Sequence, residues 1–327
     1  MKKLINDVSN VLTESLEGFA AAHAGIVTLG PERKYVRRTR LKAGKAALVS
    51  GGGSGHEPLH IGFVGHGMLD AACPGQVFTS PTPDQIIAAA EATDSGAGVV
   101  FIVKNYEGDR MNFAMAREMC GRETEVVITD DDVAVENSLR TTGRRGVAGT
   151  MVVMKVVGAA AELGMKLKSL KTLGDRVNRA TRSMGVALTS CTVPAAGKPT
   201  FTIGDDEMEM GVGIHGEAGR QRMKLKTADE ITEELINSIV GDLAGRGDAL
   251  LLVNGFGATP AMELYLMFNS AMHQLTKRGI AVRRSLVGNY VTSLDMAGCS
   301  LTVTLLDREI EGFWDAAVHT PALRWGM

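Results

Sequence analysis

His56, Glu57 and His60 stand in the spacing H-E-x-x-H, and His66 falls where extended zinc-protease patterns place a third ligand. On a helix that spacing would turn two imidazoles onto one face and hold a zinc ion between them. The run GGGSGHEPLH (51–60) argues against a helix, because four glycines precede the first histidine, Pro58 interrupts the pattern, and Phe63 replaces the turn glycine. A zinc hydrolase is therefore a rival reading rather than the leading one. The glycines themselves carry a different implication. Gly51, Gly52, Gly53 and Gly55 with Ser54 follow an apolar stretch of strand length, so exposed backbone N–H groups could wrap an oxygen-rich ligand. Neither the Walker A pattern nor the G-x-G-x-x-G dinucleotide fingerprint fits the run.

A second group of chemistry-bearing residues closes other apolar runs. Asp109 ends the loop NYEGD (105–109), where a carboxylate can act as a base or cap the next helix, and the local sequence does not choose between them. Asp130, Asp131 and Asp132 could bind a cation but read better as a capped turn. In EMEMGVGIHGE (207–217), Met208, Met210, Val212 and Ile214 alternate with Glu207, Glu209, Gly211, Gly213 and His215. Strict alternation places His215 on a polar face that glycines have cleared, either as a reactive imidazole or as an ordinary hydrogen-bonding histidine. The turns NGFGATP (254–260) and TSLDMAG (292–298) read as ordinary α/β loops, with Thr259 and Pro260 starting a helix.

The elements that would position these groups alternate. Strands are expected at 46–50, 99–104 and 125–129, with helices near 84–92 and 110–120, after an amphipathic helix in the first twenty residues. Helices at 147–163 and 167–184 follow. The second half reads as strands at 185–191, 207–214, 248–254, 280–287 and 301–306, with helices at 228–243, 260–277 and 308–315. The expected fold is α/β, with two domains (1–184 and 185–327) whose mixed or parallel sheets are flanked by helices. Ligands of such folds gather at the carboxyl ends of strands, where the glycine clusters fall.

The 327 residues carry 35 Lys+Arg against 37 Asp+Glu, 45% hydrophobic and 5% aromatic residues, which offers neither a basic field nor a stacking platform for nucleic acid. No stretch has the length of a membrane span or a signal peptide. Four dispersed cysteines suggest no disulfide framework, so a cytoplasmic location is expected.

The motifs taken together resemble the substrate-binding subunit of dihydroxyacetone kinase. The match is carried by GGGSGHEPLH (51–60), CPGQVFTSPTPD (73–84), KNYEGD (104–109), DDDVAV (130–135), GRRGVAGT (143–150), CTVPAAGKPTF (191–201), EMGVGIHGEAG (209–219), GATPAMELY (257–265), TSLDMAG (292–298) and HTPALRWG (319–326), nearly the whole chain. The resemblance implies that His215 binds a short ketone covalently as a hemiaminal, that His56 and Asp109 handle the proton of the substrate hydroxyl, and that Gly53, Ser54, Gly55, Ser80 and Lys104 line the substrate. Ala218, where the family pattern has proline, and the variable Glu107 are departures that could loosen the choice of ketone.

The resemblance further implies no cofactor bound by this chain. Mg2+ and ADP or ATP are expected on a separate nucleotide-binding kinase subunit, recharged by ATP or by a phosphocarrier of the phosphoenolpyruvate phosphotransferase system, and a homodimer is expected. Rival readings are a non-catalytic ketone sensor or co-activator, and a kinase subunit for a four-carbon ketose.

Overall fold

The computed structural model describes residues 2–134, 143–217 and 219–327. In chain order come α1 (Val11–Ala22), β1 (Val27–Leu29), β2 (Val36–Arg38), β3 (Ala47–Ser54), β4 (Ala71–Val77), α2 (Pro83–Thr93), β5 (Val99–Lys104), α3 (Glu107–Met119) and β6 (Thr124–Thr129). After α4 (Gly149–Glu162) and α5 (Leu167–Arg179) follow β7 (Thr181–Ala187), β8 (Glu207–Met210), β9 (Gln221–Lys224), α6 (Ala228–Asp242), β10 (Asp248–Gly255), α7 (Ala261–Lys277), β11 (Ala281–Gly288), β12 (Gly298–Leu305) and α8 (Arg308–Asp315). A two-stranded ladder of β13 (Val318–His319) and β14 (Arg324–Trp325) closes the chain.

Two compact units share these elements. The first takes residues 1–129, 150–176 and 310–327, and the second takes 130–149 and 177–309. The boundary expected at 184 falls inside β7, which pairs along its length with β12 from Thr181↔Thr304 to Ala187↔Gly298. A cut there would divide a central strand of the second sheet. Local periodicity cannot report this, since it shows that a helix has a buried face but not which sheet covers that face.

The first sheet has the order β1-β2-β4-β3-β5-β6. β3 runs parallel to β4 and β5, and β5 parallel to β6, while β1 and β2 add an antiparallel edge. Its core joins Val49, Phe101 and Val103 of the strands to Ile86 and Ala89 of α2 and Phe113 of α3. Phe101 and Phe113 meet nearly edge to face at 5.4 Å. α2 begins where its sequence says it should, with Thr82 and Gln85 forming a capping box and Pro83 in the first turn.

The second sheet has the order β11-β10-β12-β7-β8-β9, parallel only between β10 and β11. Leu251 and Val253 of β10 and Leu301 and Val303 of β12 pack with Leu235 and Ile239 of α6 and Leu264 and Leu275 of α7. Both units are thus α/β with mixed sheets flanked by helices. Among the described residues no helix is long and apolar enough to cross a membrane.

Three local differences from the sequence reading matter for the site. β3 does not stop at residue 50 but continues through Gly51, Gly52, Gly53 and Ser54, paired with β4. The glycines are strand, not loop, because a neighbouring strand can complete their backbone bonds without any side chain to reveal the period. α5 ends at Arg179, and β7 starts at Thr181 inside the stretch read as helix. β8 ends at Met210, and the chain turns at Gly211 with φ +75°, so the alternation that seemed to reach His215 breaks there.

Candidate active site

The carboxyl ends of β3, β4 and β5 converge in the first unit. β3 is the strand from which the chain moves first to one side, to β4, and then across to the other, to β5. In open α/β sheets a switch of this kind is where the ligand crevice forms at the strand ends. Pairing between β3 and β5 stops at Ser50↔Ile102, so beyond Ser50 β3 continues its ladder with β4. Lys104 ends β5 and lies wholly buried, its Nζ donating to Asp109 Oδ2 at 2.9 Å and lying 5.1 Å from the centre of the Tyr106 ring.

Asp109 sits in the first turn of α3, whose N-cap residue is Tyr106, not Asp109. Asp109 is 2% exposed, its Oδ1 has no hydrogen-bond partner among the described residues, and it lies buried beside the Lys104 ammonium rather than at the cap of α3.

The glycines make this arrangement possible. A Cβ on Gly52 would stand 2.5 Å from Lys104 Nζ and 2.8 Å from His60 Nε2, and one on Gly53 would meet Thr79 N at 2.6 Å and Phe78 Cα at 2.7 Å. A Cβ on Gly108 would stand 2.8 Å from Ser80 Oγ, which places Ser80 against the start of α3 next to Asp109. Ser54 donates its hydroxyl to the carbonyl of Gly75 at 2.7 Å and so pins β3 to β4. Gly55, with φ +103°, donates its N–H to the Glu57 carboxylate at 2.9 Å. His56 follows, fully buried, its ring stacked on Phe78 at 5.0 Å with 21° between planes.

His60 is a residue that the sequence reading saw only as part of a zinc pattern. The run 56–60 is not helical, so His56 and His60 do not share a helix face. Ser50 Oγ donates to the carbonyl of Ile102 at 2.6 Å, so its contact with His60 Nδ1 at 3.0 Å uses the ring's N–H as donor. His60 Nε2 therefore carries a lone pair on the side of Gly52 and Lys104, and it has no hydrogen-bond partner among the described residues. Burial, reinforced by the charges of Lys104 and His56, holds its pKa well below the ordinary imidazole value. His66 instead lies 3.7 Å from the Glu162 carboxylate. Among the described residues no group of three or more His, Cys, Asp or Glu side chains is arranged to hold a metal ion.

His215 belongs to the second unit, on the turn after β8. Its backbone N–H donates to Glu217 Oε2 at 2.8 Å, and its side chain is partly buried. Gly211 and Gly216 take φ near +75° and +73° on either side of it. A Cβ on Gly216 would meet Cys191 Sγ and Thr200 Oγ1, each at 2.7 Å. Ala218 lies outside the described residues, as does Val135 at the end of the 130–135 motif.

The three acidic residues that begin that motif are committed to protein groups. Asp130 bonds Asn178, Asp131 accepts from Val147 N, Gly149 N and Ser183 Oγ, and Asp132 accepts from Ala134 N and Arg145. This is the capped turn expected for them, enlarged into a buried hub. Burial raises Asp131, and raises Asp132 to about 6 against the opposing pull of Arg145.

Residues 17–322 match the Dak1 domain, and the chain belongs to that family. It is 47% identical, over the whole of both chains, to an Escherichia coli K12 protein named PEP-dependent dihydroxyacetone kinase, dihydroxyacetone-binding subunit DhaK. A Listeria innocua protein named PTS-dependent dihydroxyacetone kinase 1, dihydroxyacetone-binding subunit DhaK is 49% identical over 94% of this chain and 95% of its own length. Among solved structures, one titled dihydroxyacetone kinase operon co-activator Dha-DhaQ superposes with a TM-score of 0.89 at 33% identity, covering 97% of this chain and 98% of its own.

Proposed function

We propose that this chain is the ketone-binding subunit of a dihydroxyacetone kinase. The observation that carries the reading is the buried Lys104–Asp109 pair at the glycine-cleared ends of β3 and β5, in a chain alike from end to end to a subunit named for binding dihydroxyacetone. A three-carbon ketone offers too little surface for tight non-covalent binding, so a covalent anchor is chemically apt.

In the proposed step a neutral His215 ring nitrogen attacks the carbonyl carbon. The C=O π pair moves to oxygen, which takes up a proton as the other ring nitrogen releases one, and a hemiaminal forms with no leaving group. The terminal hydroxyl then attacks the terminal phosphorus of a nucleotide held, with Mg2+, by a separate subunit. Its proton passes to Asp109 or His56 as the bond to the departing group breaks. Lys104 holds the Asp109 carboxylate in place through its hydrogen bond, while Gly53, Ser54, Gly55 and Ser80 shape the substrate's surroundings through backbone and hydroxyl. The nucleotide is recharged by the phosphoenolpyruvate phosphotransferase system, the location is cytoplasmic and the working form is a homodimer.

The co-activator likeness supports a second reading, a ketone sensor, which needs an anchor but no buried base. The test is phosphorylation of dihydroxyacetone with a purified nucleotide-binding subunit, together with intact-mass analysis of the ketone adduct. Turnover that requires both subunits, and loss of the adduct in His215→Ala, are expected. A His215→Ala protein that binds dihydroxyacetone unchanged would overturn the anchor, and absent turnover with an intact adduct would favour the sensor.

A further inference from the structure

The turn that carries His215 has little stiffness of its own. Gly211, Gly213 and Gly216 fall within six residues, two of them in the left-handed region, and glycine there leaves many backbone conformations open. Yet an imidazole that must meet a small carbonyl in line has to be held to within a fraction of an ångström, so something outside the turn must supply the order.

The guanidinium of Arg145 reaches across it. Nε and Nη2 both lie on Asp132 Oδ2, at 2.8 and 2.7 Å. Nη2 also donates to the carbonyl of Gly211 at 2.8 Å, and Nη1 donates to Glu217 Oε1 at 3.1 Å. Glu217 passes the constraint on, its other oxygen accepting the His215 N–H at 2.8 Å. The anchor of the chain is firm, because Asp132 is 1% exposed and its own N–H is bonded to the carbonyl of Arg145 at 3.0 Å. Gly213 is what lets the clamp close, since a Cβ there would sit 1.7 Å from Glu217 Oε1 and 2.7 Å from Arg145 Nη1.

We infer that Arg145, acting through Glu217, is a positioning residue for His215: it ties both ends of the glycine turn to the buried Asp132 and so fixes the backbone from which the imidazole reaches the ketone. Three separate motifs, at 130–135, 143–150 and 209–219, are joined by this one contact. The planar fork matters as much as the charge, because a lysine ammonium cannot reach Asp132, Gly211 and Glu217 together in that geometry.

The inference deepens the proposed function by resting on His215 as ketone anchor, so its test needs one readout that does not depend on the anchor. Arg145→Lys and Glu217→Gln are compared with the parent protein by amide hydrogen exchange over residues 211–217 and by KM and kcat for dihydroxyacetone with saturating nucleotide subunit. Glu217→Gln leaves Asp132 paired and has a single oxygen for two donors, so it reports on the clamp even if Arg145→Lys folds poorly. Exchange of the His215 amide is expected to rise about tenfold or more in each variant, with KM up roughly 10- to 100-fold, kcat little changed and the global melting temperature nearly so for Glu217→Gln. Unchanged exchange in both variants would overturn the clamp whatever the kinetics show. Faster exchange with unchanged KM would overturn its positioning role. His215→Ala in the same assay separates the two ideas, for if that variant binds ketone normally the anchor fails while exchange still judges the clamp.

Discussion

Replacing Gly52 by alanine tests whether the end of β3 is shaped around the Lys104–Asp109 pair. The backbone of Gly52 is not in the left-handed region, so the cost is steric rather than conformational. The added methyl would stand 2.5 Å from Lys104 Nζ, where ordinary contact begins near 3.4 Å, so the ammonium must retreat by about 0.9 Å. A displacement of that size disturbs the 2.9 Å hydrogen bond that Nζ makes to Asp109 Oδ2. His60 cannot yield instead, because its Nδ1 is held by Ser50. Overpacking of this kind costs about 1–3 kcal/mol of stability. A displacement near 1 Å at the reacting groups costs on the order of 10²-fold in turnover, about 2.7 kcal/mol of barrier. Urea unfolding and kcat with saturating nucleotide subunit measure the two effects, with Gly25→Ala, which has nothing within 4 Å, as the control. Wild-type kcat and stability in Gly52→Ala would refute the idea that this glycine makes room for the lysine.

Asp109→Asn keeps the shape of the group and removes the base, so turnover is expected to fall by about 10²-fold or more while the ketone adduct on His215 persists. The same variant strands the fully buried Lys104 ammonium, and calorimetry should show a lowered melting temperature. Near wild-type kcat would leave Asp109 with a purely structural role. His60 sets a pH dependence whose sign follows from its depressed pKa: the folded protein favours the neutral ring, so its contribution to stability is complete above the ordinary imidazole pKa of about 6.5 and is lost as pH falls toward the lower folded value. Its share of the slope is at most about 1.4 kcal/mol per pH unit, for one proton. Urea unfolding between about pH 5 and 7.5 should therefore show a shallower acid-side loss in His60→Asn, and identical slopes would contradict the assignment.

Much of the framework was legible because it is local. β5 and α8 fall at their expected limits, and α2, α4, α6 and α7 within two residues of theirs, since each has an apolar period that its own residues display. What failed was whatever a neighbouring strand had to complete. The short β1, β2 and β9 have too few residues to show a period, β4 carries Pro74 and Gly75, and the glycine end of β3 has no side chains to show one. The boundary at 184 failed for the same reason, because β7 is a strand only by virtue of lying between β12 and β8.

The same division runs through the site. The family resemblance marked His56, Lys104, Asp109 and His215, whereas residue types and spacing by themselves left Asp109 and His215 with two readings each. They could not say that Lys104 is buried against Asp109, that His60 presents a lone pair beside Gly52, or that Arg145 spans Asp132, Gly211 and Glu217. Those facts join residues distant in sequence through side chains a few ångströms apart. Only the packing of strand ends and turns decides which of a chain's many polar groups meet and which are left facing a substrate.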